Sequence, residues 1–499
     1  MHIDARTLPN GSLLEGDLCI VGAGAAGITI AREWIGSHRK VLLLEGGGLQ
    51  YEPAMQDLYR GEIVGLPYFP LEAARLHYFG GTTGHWAGWC ATFDAIDFEK
   101  RDWVPHSGWP IRREDLDPFY VRAQPLLELG PYEYSAAAWQ RRDPALVPLT
   151  LDPRVVWTKM WQFSPPTRFG TTYRDAIFGA RNVELYTHAN VCEIEPNEAA
   201  TRVLGLRIRG LDGKEFRVRA RHYVLACCSI QNARLLLVSG LGNAYDLVGR
   251  FFMEHIEMPG GHLVLAAVPR AGMKMYEWTY GVTKARGELA LHAAVQRERR
   301  MLNGTVSLEP GDPDEVAKST FQAMPPDVVG TMRDSPPAAA APTPAAGRSY
   351  HVISRHEQSP NPHSRVTLST QRDALGMPRV KLDWRLTDLE KHTFRAFYDV
   401  LGREFGRSGL GRVQLLDWIT SADPGWPSTL SGGWHHMGTT RMHESPRWGV
   451  VDPSCQVHGL PNLSIAGASV FPTSGGVNPT LMLVALSLRL SDILKRKLA

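Results

Sequence analysis

Apolar residues along this chain gather in two ways, as short unbroken runs and as alternations, and each predicts a different kind of strand. Leu18 to Val21 and Val41 to Leu44 are continuous runs of strand length, the pattern of parallel strands buried on both faces. The stretch between them starts with glycines and continues as a helix, so the order predicts a βαβ unit. Between Asn182 and Cys227 the pattern changes to alternation in VELYTHANVCEIE, VLGLRIRG and EFRVRARHYVLAC, with a turn at Asp212 and Gly213. The last of these strands, His222 to Ala226, is expected to rejoin the sheet of the first two. The apolar helix IQNARLLLVSG, after Ser229, then starts near their ends. Farther on, Thr387 and Glu390 form a capping-box pattern ahead of Phe394, Phe397, Leu401 and Phe405, which share one helical face. Asn478 and Pro479, before the apolar run Leu481 to Leu488, have the form of an N-cap followed by proline at the first helical position.

Other segments have no period. Arg75 to Cys90, RLHYFGGTTGHWAGWC, is a glycine- and tryptophan-rich loop, and loops of that kind are functional or poorly packed. Residues 101 to 165 mix aromatics with prolines and predict short helices and turns. Residues 324 to 347, closing on PPAAAAPTPAAG, read as a flexible surface loop, either a linker or a substrate-gating lid.

The βαβ unit carries the first candidate chemistry. Gly22 permits the tight turn, Gly24 lets backbone N–H groups approach a pyrophosphate, and Gly27 lets the helix pack against the sheet. Glu45 ends the second strand eighteen residues after Gly27, where a carboxylate would accept hydrogen bonds from an unphosphorylated ribose diol. This unit implies a dinucleotide and leaves FAD and NAD both open.

Composition narrows the field. The chain has 499 residues, 43% of them hydrophobic, enough for a large core in two to four lobes. Its 54 basic and 51 acidic residues leave a formal charge of only +3 with no dense basic run, so neither a nucleic-acid nor an anionic-membrane partner is expected. Met1 to Gly16 lacks the charged start and apolar core of a signal peptide, and no apolar stretch is long enough to span a bilayer. Six irregularly spaced cysteines, with Cys227 and Cys228 adjacent, are expected to be reduced thiols in a cytoplasmic setting. No metal ligand is assigned.

The last seventy residues hold a second constellation, GGWHHMGTTRM from Gly432 to Met442 and SVFPTSGGVNPT before the final apolar helix. With the glycine unit, the GTTGHWAGW loop and the ARLLLVSG helix, these segments resemble the glucose-methanol-choline (GMC) oxidoreductases. The Asn-Pro-Thr version is similar to their pyranose oxidase and bacterial sugar dehydrogenase branches. The resemblance implies FAD as cofactor and an α/β fold. That fold is a discontinuous Rossmann-type FAD-binding domain (1–100, 182–255 and 430–499) with a substrate-binding domain (101–181 and 256–429) on a mainly antiparallel sheet plus helices. It also implies a catalytic pair, His435 in an HxxGT pattern and Asn478 before the last helix. His436 stands where much of the family has proline, which leaves open which of the two histidines faces the flavin.

Alcohol oxidation needs such a pair, because hydride leaves carbon while a base removes the hydroxyl proton, and imidazole titrates near neutrality. His435 is the expected base and Asn478 the expected donor to the alcohol oxygen. The resemblance further places Gly81, Thr82, His85, Trp86, Val191, Gly467, Ala468, Pro479 and Thr480 against the cofactor. His85 is open to a covalent flavin link or, the preferred reading, a noncovalent contact. The implied reaction is oxidation of a secondary hydroxyl of a sugar, glycoside or polyol, with oxygen, a quinone or a redox protein as electron acceptor. Oxidation of a sterol or secondary-metabolite alcohol, and a non-catalytic flavin-binding partner protein, remain the alternatives.

Overall fold

The computed structural model describes all residues except 268, 270, 271, 282 and 311–348, so the proline-rich stretch expected as a flexible loop lies outside the described residues. Two eight-stranded sheets dominate, with a smaller three-stranded sheet beside them.

The first sheet is built on the βαβ unit. Leu13–Val21 and Val41–Leu44 pair in parallel, and the helix Ala25–Glu33 connects them. Val183–Thr187 and His2–Asp4 extend the parallel sheet on the far side of Val41–Leu44. On the near side lies Glu215–Leu225, which pairs in parallel with the whole of Leu13–Val21. Its other edge is shared: the first half takes the antiparallel strand Val203–Arg209, beyond which Asn190–Pro196 pairs antiparallel, and the second half takes Leu463–Ile465 in parallel. The final segment of the chain thereby returns to the glycine-rich turn. The long helix Thr480–Lys497 then packs against Ala25–Glu33 and the short helix Asp117–Leu126.

Two glycines make the turn possible. Gly22 has φ +100°, and a Cβ there would fall 2.6 Å from the Ala226 carbonyl oxygen. A Cβ on Gly27 would lie 1.9 Å from the Gly22 carbonyl oxygen, so the helix could not seat.

The second sheet is wholly antiparallel, in the order Gly411–Leu415, His255–Leu265, Ser349–Glu357, Gly304–Pro310, Lys284–Leu291, Val156–Phe163, Trp89–Cys90, with Thr279–Tyr280 also paired to Lys284–Leu291. Its apolar face includes Ile256, Met258, Met160, Leu289 and Val306. These form one core with Phe394, Phe397, Leu401 and Phe405 of the helix Asp388–Arg407. That helix has the capping box expected of Thr387 and Glu390. The opposite face carries charge: Glu257 is in register with Arg355, and Glu288 with Lys159. All four are buried or nearly so. The third sheet pairs Arg365–Arg372 with Pro378–Asp383, and adds Gly61–Ile63 in parallel.

The glycine turn gives a direct test. Gly27→Ala is expected to destabilise the chain by about 1–3 kcal/mol, because the only relief for the new methyl is a backbone shift. Gly24→Ala, whose Cβ would meet no heavy atom within 4 Å, should leave the thermal midpoint of the ligand-free chain unchanged. Equal melting shifts for the two variants would contradict this account.

Candidate active site

The glycine turn ends in open space. Gly24 faces no atom that a Cβ would touch, and neither does Gly467, whose φ of +101° keeps it in the region that favours glycine. The loop that carries GTTGHW closes over the same turn. Gly80 N–H donates to the Ala23 carbonyl (2.8 Å), and Gly81 packs so closely that its Cβ would sit 3.2 Å from Gly24 Cα. Thr82 holds the loop's shape through its hydroxyl, which accepts from Leu76 N–H (3.4 Å), and its carbonyl, which accepts from His85 N–H. Arg168 donates to the Thr83 and Trp86 carbonyls, and the Trp86 indole donates to the Thr167 carbonyl, so the loop, whose one turn of 3-10 helix spans Gly81–Gly84, is fixed against the segment at Thr167 and Arg168.

Glu45 is buried beside this turn and accepts from Ala23 N–H and Gly47 N–H, both at 3.0 Å. Burial pushes its pKa upward, while those N–H groups oppose the shift. A cavity opens here, lined by Gly22, Glu45, Ala189, Val191, Tyr59 and Gln231 among others. Strand ends, Gly22, Gly46 and the Glu45 carboxylate around one cavity fit a dinucleotide.

The second cluster lies where the final helix begins. Asn478 Nδ2 is 2.9 Å from His435 Nε2, and His435 Nδ1 is 2.9 Å from His255 Nδ1. His255 Nε2 points at the carbonyls of Gly475 (2.8 Å) and Ser474 (3.2 Å). Burial lowers the pKa of His435 well below its ordinary value of 6.5, with His255, Arg355 and His436 acting in the same direction. His255 is pushed down to about 4, also chiefly by burial.

His436 turns the other way. Its Nε2 lies 2.9 Å from the Tyr68 hydroxyl, which donates to Glu254 (2.5 Å). Glu254 is fully buried and also accepts from Gly433 N–H and His255 N–H, so one carboxylate ties three segments together. Burial pushes its pKa up to about 8 against those donors. His85 lies near this cluster, its ring 5.3 Å from that of Trp434. Its Nε2 is buried without a partner among the described residues. Burial holds His85 down at about 4.

One sequence expectation needs correction. Asn478 does not cap the last helix: the helix runs Thr480–Lys497, Pro479 occupies the cap position, and no side chain bonds to its first N–H groups. The amide is instead spent on His435, and its Oδ1 is buried without a partner among the described residues. Pro479 and Thr480 open the helix directly behind it, and Ala468, next to Gly467, accepts Gly438 N–H at 3.1 Å.

The charged sheet face completes the site. Glu257 Oε1 lies 4.0 Å from His435 Nδ1 and accepts from Arg355 (2.8 Å). Arg355 also faces Glu288, which pairs with Arg286 at 3.0 Å, and Arg286 reaches Glu309. Both guanidiniums lie over the Trp89 ring. Sequence reasoning missed His255, Glu254, Tyr68 and this ladder. The available signal was the ionisable pair Glu254–His255 inside an otherwise apolar run, and the alternation of Lys284, Arg286 and Glu288 with small or apolar residues.

Comparison with known proteins is consistent with the geometry. Two family models described as GMC oxidoreductase match residues 170–257 and 360–487. The chain is 25% identical to 2-methyl-1,2-propanediol dehydrogenase of Mycolicibacterium austroafricanum, over 96% of this chain and 95% of that one. It is 23% identical to the fructose dehydrogenase large subunit of Gluconobacter japonicus, over 96% and 97%. The crystal structure of a formate oxidase shares the fold with a TM-score of 0.60 at 17% identity, covering 98% of this chain and 99% of that one.

Glu45→Ala should weaken retention of a bound dinucleotide, since a hydrogen bond to a charged group contributes roughly 1.5–3 kcal/mol. Cofactor content after gel filtration measures it. Retention equal to the parent protein would remove Glu45 from the binding site.

Proposed function

The chain belongs to the GMC oxidoreductase family, and from that premise we propose that it binds FAD and oxidises a secondary hydroxyl of a sugar, glycoside or polyol, with His435 as general base. The observation that carries this reading is the buried contact between His435 Nε2 and Asn478 Nδ2. FAD, when bound, supplies the hydride acceptor. The residues that would hold it are Gly22, Gly24, Gly27, Glu45 and Val191 at the first sheet, Gly81, Thr82, His85 and Trp86 in the loop, and Gly467, Ala468, Pro479 and Thr480 near the last helix. The proposed domain division is a FAD-binding unit of 1–100, 182–255 and 430–499, with 101–181 and 256–429 forming the substrate side.

The chemistry of the pair follows from its atoms. An alcohol hydroxyl that takes the place of the His435–Asn478 contact would donate its proton to His435 Nε2 and accept from the Asn478 amide. The proton goes to imidazole as hydride leaves the same carbinol carbon, and the amide steadies the oxygen while negative charge develops there. Burial supports this division of labour, because a histidine held neutral is ready to take a proton.

The charged face supports a polyhydroxylated substrate over a sterol. Glu257, Arg355, Glu288 and Arg286 make this face polar, with acceptors and donors for neighbouring hydroxyls. A fused hydrocarbon ring system would make no hydrogen bond with that face and would displace water from its charges. The names of the relatives, a diol dehydrogenase and a fructose dehydrogenase, point the same way. Oxygen, a quinone and a redox protein all stand as electron acceptors, to be separated by turnover assays with each. Among the described residues no helix is long and apolar enough to cross a membrane.

Anaerobic rapid mixing with a panel of sugars, glycosides and sterols tests the substrate class, and reduction by sterols alone would overturn it. His435→Ala should keep flavin and fold yet slow reduction by about 10²–10⁴, the range for loss of a general base. His436→Ala should cost less, because that ring bonds to Tyr68; the reverse ordering would move the base to His436. With the base pKa held below 6.5, the reduction rate should stay level as pH falls through 6.5 and drop only at lower pH, where the imidazole gains its proton. A midpoint at or above 6.5 would contradict this. Acid denaturation of fully loaded protein is expected to release the flavin, and flavin that stays with the chain would establish a covalent link.

A further inference from the structure

Building on the reading of His435 as the base, we propose that His255 is a positioning residue that fixes which ring nitrogen of His435 takes the proton, through a hydrogen-bond chain anchored on two backbone carbonyls. The chain has only one consistent arrangement of hydrogens. Carbonyl oxygens accept and never donate, so the His255 nitrogen facing Ser474 and Gly475, Nε2, must carry hydrogen. A neutral His255 then has a bare Nδ1. His435 Nδ1, 2.9 Å away, must supply the hydrogen of that contact. A neutral His435 is left with a bare Nε2, and the group that meets it is the Asn478 NH2.

The consequence is directional. Without His255 the imidazole of His435 could present either N–H or lone pair to the substrate side, and only the lone pair can accept a hydroxyl proton. The carbonyls of the loop before Asn478 therefore set the proton-accepting atom beside Asn478 itself, across two imidazoles. The chain also has a closed end. After Nε2 takes a proton, the Nδ1 hydrogen can shift toward His255 but no farther, because His255 Nε2 already donates to carbonyls. The charged and titratable groups around the pair are Glu257, 4.0 Å from His435 Nδ1, Arg355 paired to it, Glu254 bonded to the His255 backbone, and His436. Of these, Glu257 is the carboxylate placed to offset the imidazolium.

The test reads the tautomer and the rate separately. In protein with 15N-labelled histidine rings, the signals lost in His435→Gln identify His435. In the parent protein they should show a protonated Nδ1 and a bare Nε2 at neutral pH. His255→Phe removes the acceptor and should give mixed tautomers, together with flavin reduction slowed by about 10–100-fold, the range for losing a group that orients a metal-bound histidine. Its flavin content should be unchanged. His255→Gln, whose side-chain carbonyl can accept the Nδ1 hydrogen, should recover most of the rate. A parent spectrum with hydrogen on His435 Nε2 overturns the proposal, and it decides the matter even if His255→Phe does not fold. A folded His255→Phe with the parent tautomer and rate overturns it as well. Normal flavin reduction in His435→Ala would defeat the base assignment instead, while the tautomer measurement would still stand, so the two failures are distinguishable.

Discussion

A guanidinium that leaves water must find its counter-charges inside the protein, and Arg355, buried between Glu257 and Glu288, is where this requirement shapes the whole molecule. The antiparallel sheet has an apolar face already covered by the helix Asp388–Arg407. Its other face meets the histidine loop, where Glu257 lies 4.0 Å from His435 Nδ1. Charged residues on that second face can be buried only as pairs: Glu257 pairs with Arg355 directly opposite it, Glu288 with Arg286 and Arg355, and Lys159 with Asp94. Arg101 and Glu357, both without exposure, add another pair at the same junction. Breaking such a pair strands a charge at a cost of about 3–5 kcal/mol. The strand that holds His255 and Glu257 is thereby locked against the strand that holds Arg355, and His435 inherits its position from that lock.

Glu254 works by the same rule from the other side. Its oxygens take hydrogens from Tyr68, from Gly433 N–H and from His255 N–H, so the segment near residue 68, the histidine loop and the antiparallel sheet meet at one buried carboxyl group. His435 and His436 are adjacent in sequence yet face different partners, Asn478 and Tyr68. Adjacent identical residues acquire different chemistry through the carboxyl groups packed nearest to each: Glu257 near His435, Glu254 near His436.

How much of this was legible in the sequence depended on the reach of each interaction. The βαβ unit was readable because its determinants are local: Gly22, Gly24 and Gly27 constrain their own turn, and Glu45 follows within one strand. The capping box at Thr387 was readable for the same reason. His435 and Asn478 were readable through motif spacing, although nothing local said that they would touch. The His255 contact spans 180 positions and the Tyr68–His436 contact 368, and no periodicity in one segment encodes a partner so far away. The charged ladder was visible as alternation at Lys284, Arg286 and Glu288. Alternation, however, states only that two faces differ. It does not say that the charged one is also buried.

The misreading of Asn478 shows what the site asks of its scaffold. By local rules, asparagine before proline is a good helix start, and a side chain free to cap would contribute about 1 kcal/mol. Here the amide bonds to His435 instead, and Pro479 at the cap position has no side-chain donor or acceptor to offer. The first N–H groups of an eighteen-residue helix are left without a side-chain cap. The helix tolerates this because its apolar face, including Leu481, Met482, Val484 and Ala485, is packed into the largest core of the protein, where burial outweighs a missing cap. The uncapped end also keeps a partial positive charge beside Asn478, which favours negative charge nearby. Local stability is given up at the one place where an amide and an unshielded helix end can both act on the same developing anion.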